Sequence, residues 1–312
     1  MDGLHVVLGA TGGAGSAVVR ELAVRGRRAR AVSRSGRGDA VPGVEHISAD
    51  AAVPGSLRAA CDGAAVVYHC INVPYEQWAA RLLPIAEGVI AAAAAAGAKL
   101  VVADNLYLYG RVNGPMTEAT PRNPQGPKGR LRVQLEQRLL DAHHSGTVRV
   151  AIGRASDFVG HQANSAPMVL VVKPALTGGK ASWLGSLDAP HTLSYLPDVA
   201  WGLVTLAERE ESLGEIWHLP AGEPLTGRQL IDMVFEELWQ RPRMGLIRRP
   251  MMRLAALFSP MIRESLEVLY QFEYPFIMDA DKFVRMFDSR VTPHRQAIRQ
   301  TIDGLRRTQP RA

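Results

Sequence analysis

The sequence predicts an α/β fold, a doubly wound parallel sheet with a smaller, mostly helical C-terminal lobe, and three observations carry that expectation. Short apolar runs rich in β-branched residues alternate with helical patterns through the first half, which implies parallel strands with helices on both faces. The first such run, Val6-Val7-Leu8, breaks into a turn with glycines at Gly9, Gly12 and Gly15, followed by a helix with apolar positions Val18, Val19, Leu22 and Ala23. Beyond about residue 160 the alternation gives way to segments punctuated by Pro174, Gly178, Gly179, Trp183 and Pro190.

In chain order, strands are expected near Leu4 to Leu8, Arg28 to Ser33, Val44 to Ile47, Ala65 to His69, Lys99 to Asp104 and Val148 to Gly153. Helices fall between them, near Gly13 to Arg25, Gly55 to Cys61, Glu76 to Ala96 and Lys128 to His144. The loop 110–127 is rich in Gly, Pro and Asn and long enough to be functional. A short strand near Thr192 to Tyr195 leads into a helix through Ala207, and a strand follows at Ile216 to Leu219. Helices are then expected near Gly227 to Trp239, Pro250 to Phe258, Met261 to Phe272 and Pro293 to Arg306. This divides the chain into a nucleotide-binding domain over 1–160 and a substrate lobe over 161–312, with the stretch of about 191–220 returning to the first domain.

The composition excludes several classes. Hydrophobic residues make up 47% and charged residues 21% of 312 positions, enough for a sizeable core, and no run reads as long or apolar enough to span a membrane. The Ala-rich stretch from Ile90 to Ala98 reads as the end of a packed helix, and the apolar stretch around Met251 to Phe258 as core or a dimer face more than a membrane anchor. The net charge of +6 would suit nucleic acid, but the arginines are scattered and lack an aromatic or zinc-finger framework, so no nucleic-acid partner is expected. No His/Asp/Glu cluster has metal spacing, so no metal site is expected. Cys61 and Cys70 read as small hydrophobic residues rather than a disulfide. The chain enters its first strand by Leu4, leaving no room for a signal peptide, so a cytoplasmic setting is expected.

The glycine turn carries the chemistry. Residues without a Cβ let the chain bend sharply and let a diphosphate approach the backbone, while the following helix N-terminus supplies N–H donors and the positive end of its dipole. Strand, turn and helix in that order point to a dinucleotide site formed by Gly9, Thr11, Gly12, Gly13, Ala14 and Gly15.

The spacing Gly-x-x-Gly-x-x-Gly resembles that of the short-chain dehydrogenase/reductases, and further stretches resemble the extended branch of nucleotide-sugar epimerases and dehydratases over nearly the whole chain. The resemblance implies a Rossmann domain that binds NAD or NADP. Extended enzymes that use NAD usually carry an acid after the second strand; Ser33-Arg34 stands there instead and suits a 2′-phosphate, so NADP is expected, with NAD as the other choice. Asp50-Ala51 resembles the motif that contacts adenine, and Cys70, Ile71 and Asn72 end a strand that passes beside the cofactor.

Tyr109-Gly110 followed by Pro115-x-Thr117-Glu118 shares the family frame and puts Asn105 where the family has its catalytic Ser or Thr. The family's Tyr-x-x-x-Lys pair is replaced: matching Gly129 and Glu136 puts Lys128 at the Tyr and Arg132 at the Lys. Lys128 is then expected beside the cofactor, moving a proton or polarising a carbonyl, with Arg132 on ribose hydroxyls and Asn105 as a second donor. Tyr107, two before Tyr109, is at a position that carries a catalytic side chain in dehydratases. Arg154-Ala155-Ser156-Asp157-Phe158-Val159-Gly160 resembles the stretch lining the substrate pocket, so Ser156 and Asp157 are expected there, with His191 facing it and Arg154 structural. The expected activity is an oxidoreductase or epimerase acting on a carbonyl or hydroxyl of a small molecule, as a homodimer. Two alternatives stay open: a binding protein resembling the NmrA-like regulators that senses NADP without turnover, or a non-redox cyclase or isomerase on the same fold.

Overall fold

Six strands follow one another as β1 (Leu4–Leu8), β2 (Ala29–Ser33), β3 (Val44–Ser48), β4 (Ala64–His69), β5 (Lys99–Asp104) and β6 (Arg149–Arg154), and Ile216–His218 adds a seventh. The structure, a computed structural model, describes residues 3–53 and 55–308. The strand order is Ile216–His218, β6, β5, β4, β1, β2, β3, and every neighbouring pair runs parallel. The chain proceeds outward from β1 to β3, then crosses back to lay β4 on the other side of β1. Order reverses between β1 and β4, and a crevice opens at their carboxyl ends, as in other doubly wound sheets. Val6, Val7, Leu8, Val66 and Val67 are fully buried, which is why these strands read as continuous apolar runs.

Helices cover both faces. On one, α1 (Gly13–Val24) packs against the helix Leu196–Glu208, and Val18 and Leu22 meet Leu203 and Val204 in one apolar cluster that continues into Leu230, Phe235 and Phe283. On the other, α2 (Ser56–Ala60), α3 (Trp78–Ala95) and α4 (Pro127–His144) cover Val67, Leu100 and Ile152 through Leu57, Ile85, Val89 and Leu135. One sequence expectation needs correcting here: Tyr75–Ala95 spans 21 residues with a mean hydropathy of 1.4, long and apolar enough by composition to cross a bilayer. Its Trp78, Leu82, Ile85 and Val89 are instead buried inside the protein.

Among the described residues the second half holds three small strand pairs: Asp157–Val159 with Leu193–Tyr195, Pro190–His191 with Leu225–Thr226, and Ala181–Leu184 with Met244–Ile247. The single helix expected from Met261 to Phe272 is broken into Pro260–Ser265, a turn at Leu266–Val268 and Tyr270–Glu273. Tertiary contacts override local preference there: Glu264 and Glu267 are held by Lys128, and the Gln271 carbonyl by His191.

Candidate active site

Three glycines shape the turn after β1 in three ways. Gly9 has φ +83°, and a Cβ there would stand 2.8 Å from the Cys70 backbone at the end of β4. A Cβ on Gly15 would stand 2.3 Å from the Gly9 carbonyl oxygen, so this glycine lets α1 close onto the turn. Gly12 caps α1 with no side chain bonded to the helix N–H groups and no acid in its first turn, so the positive helix end is left for an anion.

The turn forms one end of a cavity of about 710 Å³. Gly9, Thr11, Gly12, Gly13, Ala14, Ser33, Arg34, Asp50, Ala51, Cys70, Ile71 and Asn72 all line it, while Gly15 sits behind the wall. The Arg34 side chain is exposed and engaged in no hydrogen bond or ion pair among the described residues. The neighbouring Ser33 hydroxyl donates to the Arg37 carbonyl (2.8 Å). Asp50 accepts the Ala52 N–H through Oδ1 (2.9 Å), a local turn that leaves Oδ2 uncommitted. A glycine cradle that a Cβ would fill and a free helix N-terminus fit the diphosphate of a dinucleotide, and the Arg34 guanidinium, unpaired among the described residues, stands just after β2.

The other end of the cavity is walled by Asn105, Tyr107, Ser156 and Asp157, with Tyr75, Gln271 and Phe276. Asn105 accepts the Tyr107 N–H through Oδ1 (3.1 Å), which leaves its amide N–H groups to donate. The Tyr107 and Tyr75 hydroxyls lie 2.6 Å apart. Burial pushes Tyr75 up to about 12 and Tyr107 well above its ordinary value, with the Asp157 charge adding to both shifts. Both phenols therefore stay protonated at neutral pH, and in the pair one hydroxyl donates to the other. The Ser156 hydroxyl is buried with no hydrogen-bond partner among the described residues. Asp157 Oδ2 meets His191 Nε2 (2.9 Å), and His191 Nδ1 meets the Gln271 carbonyl (2.9 Å). The imidazole is stacked between Phe272 (4.9 Å) and Phe276 (5.3 Å) and fixes the carboxylate from behind.

Lys128, Arg132 and His191 do not line the cavity. For Lys128 this corrects the expected position beside the cofactor. Its side chain is 4% exposed, and its ammonium is held by Glu264 and by Glu267 (3.3 Å), with the Tyr75 ring centroid 5.4 Å away. Its backbone N–H also donates to Glu267 Oε1 (2.6 Å). Arg132, expected on ribose hydroxyls, donates to Asp104 Oδ1 (2.9 Å) and lies 4.3 Å over the Trp78 ring. Asp104 Oδ2 accepts from Arg154 (3.1 Å), which also donates to Tyr109 (2.8 Å), and Tyr109 meets His218 Nε2 (2.8 Å). Arg154 is thus the buried hub of a structural network. Beside it, burial and then the Arg132 charge pull His69 down to about 4.

Tyr75, Gln162, Gln271 and Phe276 were not identifiable as cavity residues in the sequence. Pro74-Tyr75 directly after the fourth strand was the one local hint, since that strand end passes beside the cavity. Gln162 is placed by long-range bonds to Arg20 (2.8 Å) and Ser16.

The parallel sheet, the reversal at β1 and β4 and the glycine cradle define a Rossmann-type α/β protein. The chain belongs to the NAD dependent epimerase/dehydratase family, whose model matches residues 5–219. Among curated proteins, no sequence matches it. Similar solved structures include a dTDP-glucose 4,6-dehydratase from Streptomyces venezuelae with NAD bound, at 18% identity and TM-score 0.78 over 98% of this chain and 97% of that one. The UDP-glucose 4-epimerase of Thermus thermophilus in complex with NAD has 18% identity and TM-score 0.79 over 98% and 99%. The UDP-glucuronic acid 4-epimerase of Bacillus cereus in complex with NAD has 14% identity and TM-score 0.80 over 97% and 99%. At these identities the likeness is one of fold.

Proposed function

We propose that the protein binds NADP, or NAD in its place, and uses it to oxidise, reduce or epimerise a small molecule at a carbonyl or hydroxyl, working as a homodimer with 161–312 as the substrate lobe. One observation carries this reading: a single cavity joins the glycine turn to the donors and acceptor at Asn105, Tyr107 and Asp157. The backbone of Gly9 to Ala14 would hold the diphosphate, Asp50 the adenine, and Ser33 and Arg34 a 2′-phosphate. Bound there, the nicotinamide donates or accepts a hydride.

The chain's own residues manage the oxygen and its proton. Tyr107, kept protonated by burial, donates to the substrate oxygen, and the Tyr75 hydroxyl beside it supports that donor. The Asn105 amide supplies a second donor. Asp157 is the acid at this end of the cavity; it accepts the hydroxyl proton of an alcohol substrate, and His191 positions it. Lys128 and Arg132 serve as positioning residues behind Tyr75 and Trp78. A carboxylate and two phenols favour an uncharged, hydroxylated or cationic group at this end, so nucleotide-sugar chemistry does not carry over with the fold.

The ion pairs of Lys128 and Arg132 favour one other reading, an NADP sensor that binds without turnover. A single experiment separates the two. The purified protein is titrated with NADPH and NADH by calorimetry, then incubated with NADPH and a panel of aldehydes and ketones. Binding with NADPH consumption supports the enzyme, binding without consumption supports the sensor, and failure to bind either nucleotide removes both.

A further inference from the structure

We propose that the helical hairpin made by Arg249–Ala255 and Pro260–Ser265 docks on an anionic lipid surface. The sequence expects core or a dimer face around Met251 to Phe258. The structure buries Met252 and Ala256, one turn apart on the inner side, and leaves Met251, Leu254, Leu257, Phe258 and Met261 from 54% to 84% exposed. Met251 and Leu254 lie i, i+3 on the outer side of Arg249–Ala255, and Leu257 and Phe258 are exposed in the turn that follows, so the hairpin is apolar outward as well as inward. A contiguous outward apolar face marks an interaction surface.

Charge selects the occupant. Residues 238–263 contain six arginines and no aspartate or glutamate, and the one acid of the hairpin itself, Glu264, is held by Lys128. Arg249 is paired with Glu273 (2.5 Å), whereas Arg241, Arg243, Arg248, Arg253 and Arg263 are exposed. Arg249, Arg253 and Glu273 line a shallow hollow of about 510 Å³ with Ser186 and Tyr274; Glu273 holds Arg249 there, so the guanidinium left to meet a phosphate headgroup is that of Arg253. A two-fold contact between copies would set this arginine cluster against itself, while an anionic bilayer offers phosphate to the arginines and hydrocarbon to Leu254 and Phe258. Pro260–Ser265 packs against the turn Tyr75–Gln77, whose Tyr75 and Gln77 line the large cavity. Docking therefore turns the substrate end of that cavity toward the membrane.

The test is co-sedimentation of the full chain with vesicles of phosphatidylcholine alone or mixed with phosphatidylglycerol, at low and high salt. The expected result is binding to the mixed vesicles only, weakened by salt. Arg248→Gln and Arg253→Gln should each lower the partition coefficient about fivefold, and the double change Leu254→Ser, Phe258→Ser should abolish binding. All four positions are exposed, so the melting temperature should be unmoved, which a thermal melt checks. Equal sedimentation with both vesicle types, or no loss in the variants, overturns the proposal. So does a wild-type dimer in sedimentation equilibrium that the Leu254→Ser, Phe258→Ser change converts to monomer, because a second copy then covers the face.

Discussion

Replacing Lys128 by methionine separates the two roles that this position could play. Met keeps most of the length and the apolar stem of the side chain and removes the charge with its three N–H donors. Lys128 is 4% exposed, Glu267 17% and Glu264 39%, so the cation is buried while its partners grade toward solvent. Breaking a fully buried pair costs about 3–5 kcal/mol, and an exposed one about 0–1 kcal/mol. Glu264 can swing into water, and Glu267 keeps the backbone N–H of residue 128, which places the loss near about 2 kcal/mol. For a chain of this size that is a fall of about 3 °C in melting temperature. Calorimetry reads it, and a cycle with Glu267→Gln should show the two changes to be non-additive by about 1 kcal/mol. NADPH affinity should be unchanged, because Lys128 lies outside the cavity. An unmoved melting temperature together with an NADPH affinity about tenfold weaker would refute this placement and restore Lys128 to the cofactor.

Three further outcomes follow from the same geometry. Arg34→Ala removes an unpaired guanidinium at the adenosine end, so NADPH binding should weaken by about 1–3 kcal/mol and NADH binding should stay unchanged; equal losses in calorimetric titration would place Arg34 elsewhere. Gly15→Ala drives a methyl to 2.3 Å from the Gly9 carbonyl, and both nucleotides should lose affinity together. Burial first of all lowers His5 and His69 to about 4 and His218 to about 3. The unfolded chain takes up these protons near 6.5 while the folded chain refuses them until much lower pH, so stability should fall as pH drops from about 6.5 to 4, by up to about 3 kcal/mol per histidine. A melting temperature flat over that range would show that the three rings are not held neutral inside the fold.

Much of the sheet was legible because strands buried on both faces leave continuous β-branched runs, as at Val66-Val67 and Val101-Val102. The glycine turn was legible because backbone approach demands small residues at fixed spacing. The second half was harder to read. Pairs such as Ala181–Leu184 with Met244–Ile247 join segments about sixty residues apart and leave no local period. The place of Lys128 was hidden for the same reason, since its partners Glu264 and Glu267 lie more than 130 residues away. Lys128 lies on α4, but which way its side chain runs depends on carboxylates that no local pattern announces. Tyr75 belongs to the cavity through a hydroxyl contact with Tyr107, thirty-two residues on.

The most direct measurement uses NADPH deuterated at its transferable position, incubated with the wild-type protein, with Tyr107→Phe and with Asp157→Asn over a carbonyl panel, and follows label in the product by mass spectrometry. Transfer by the wild type that falls sharply in both variants, with NADPH binding intact, is the expected result. Tight NADPH binding with no label transferred to any carbonyl, or transfer undiminished in both variants, would contradict it.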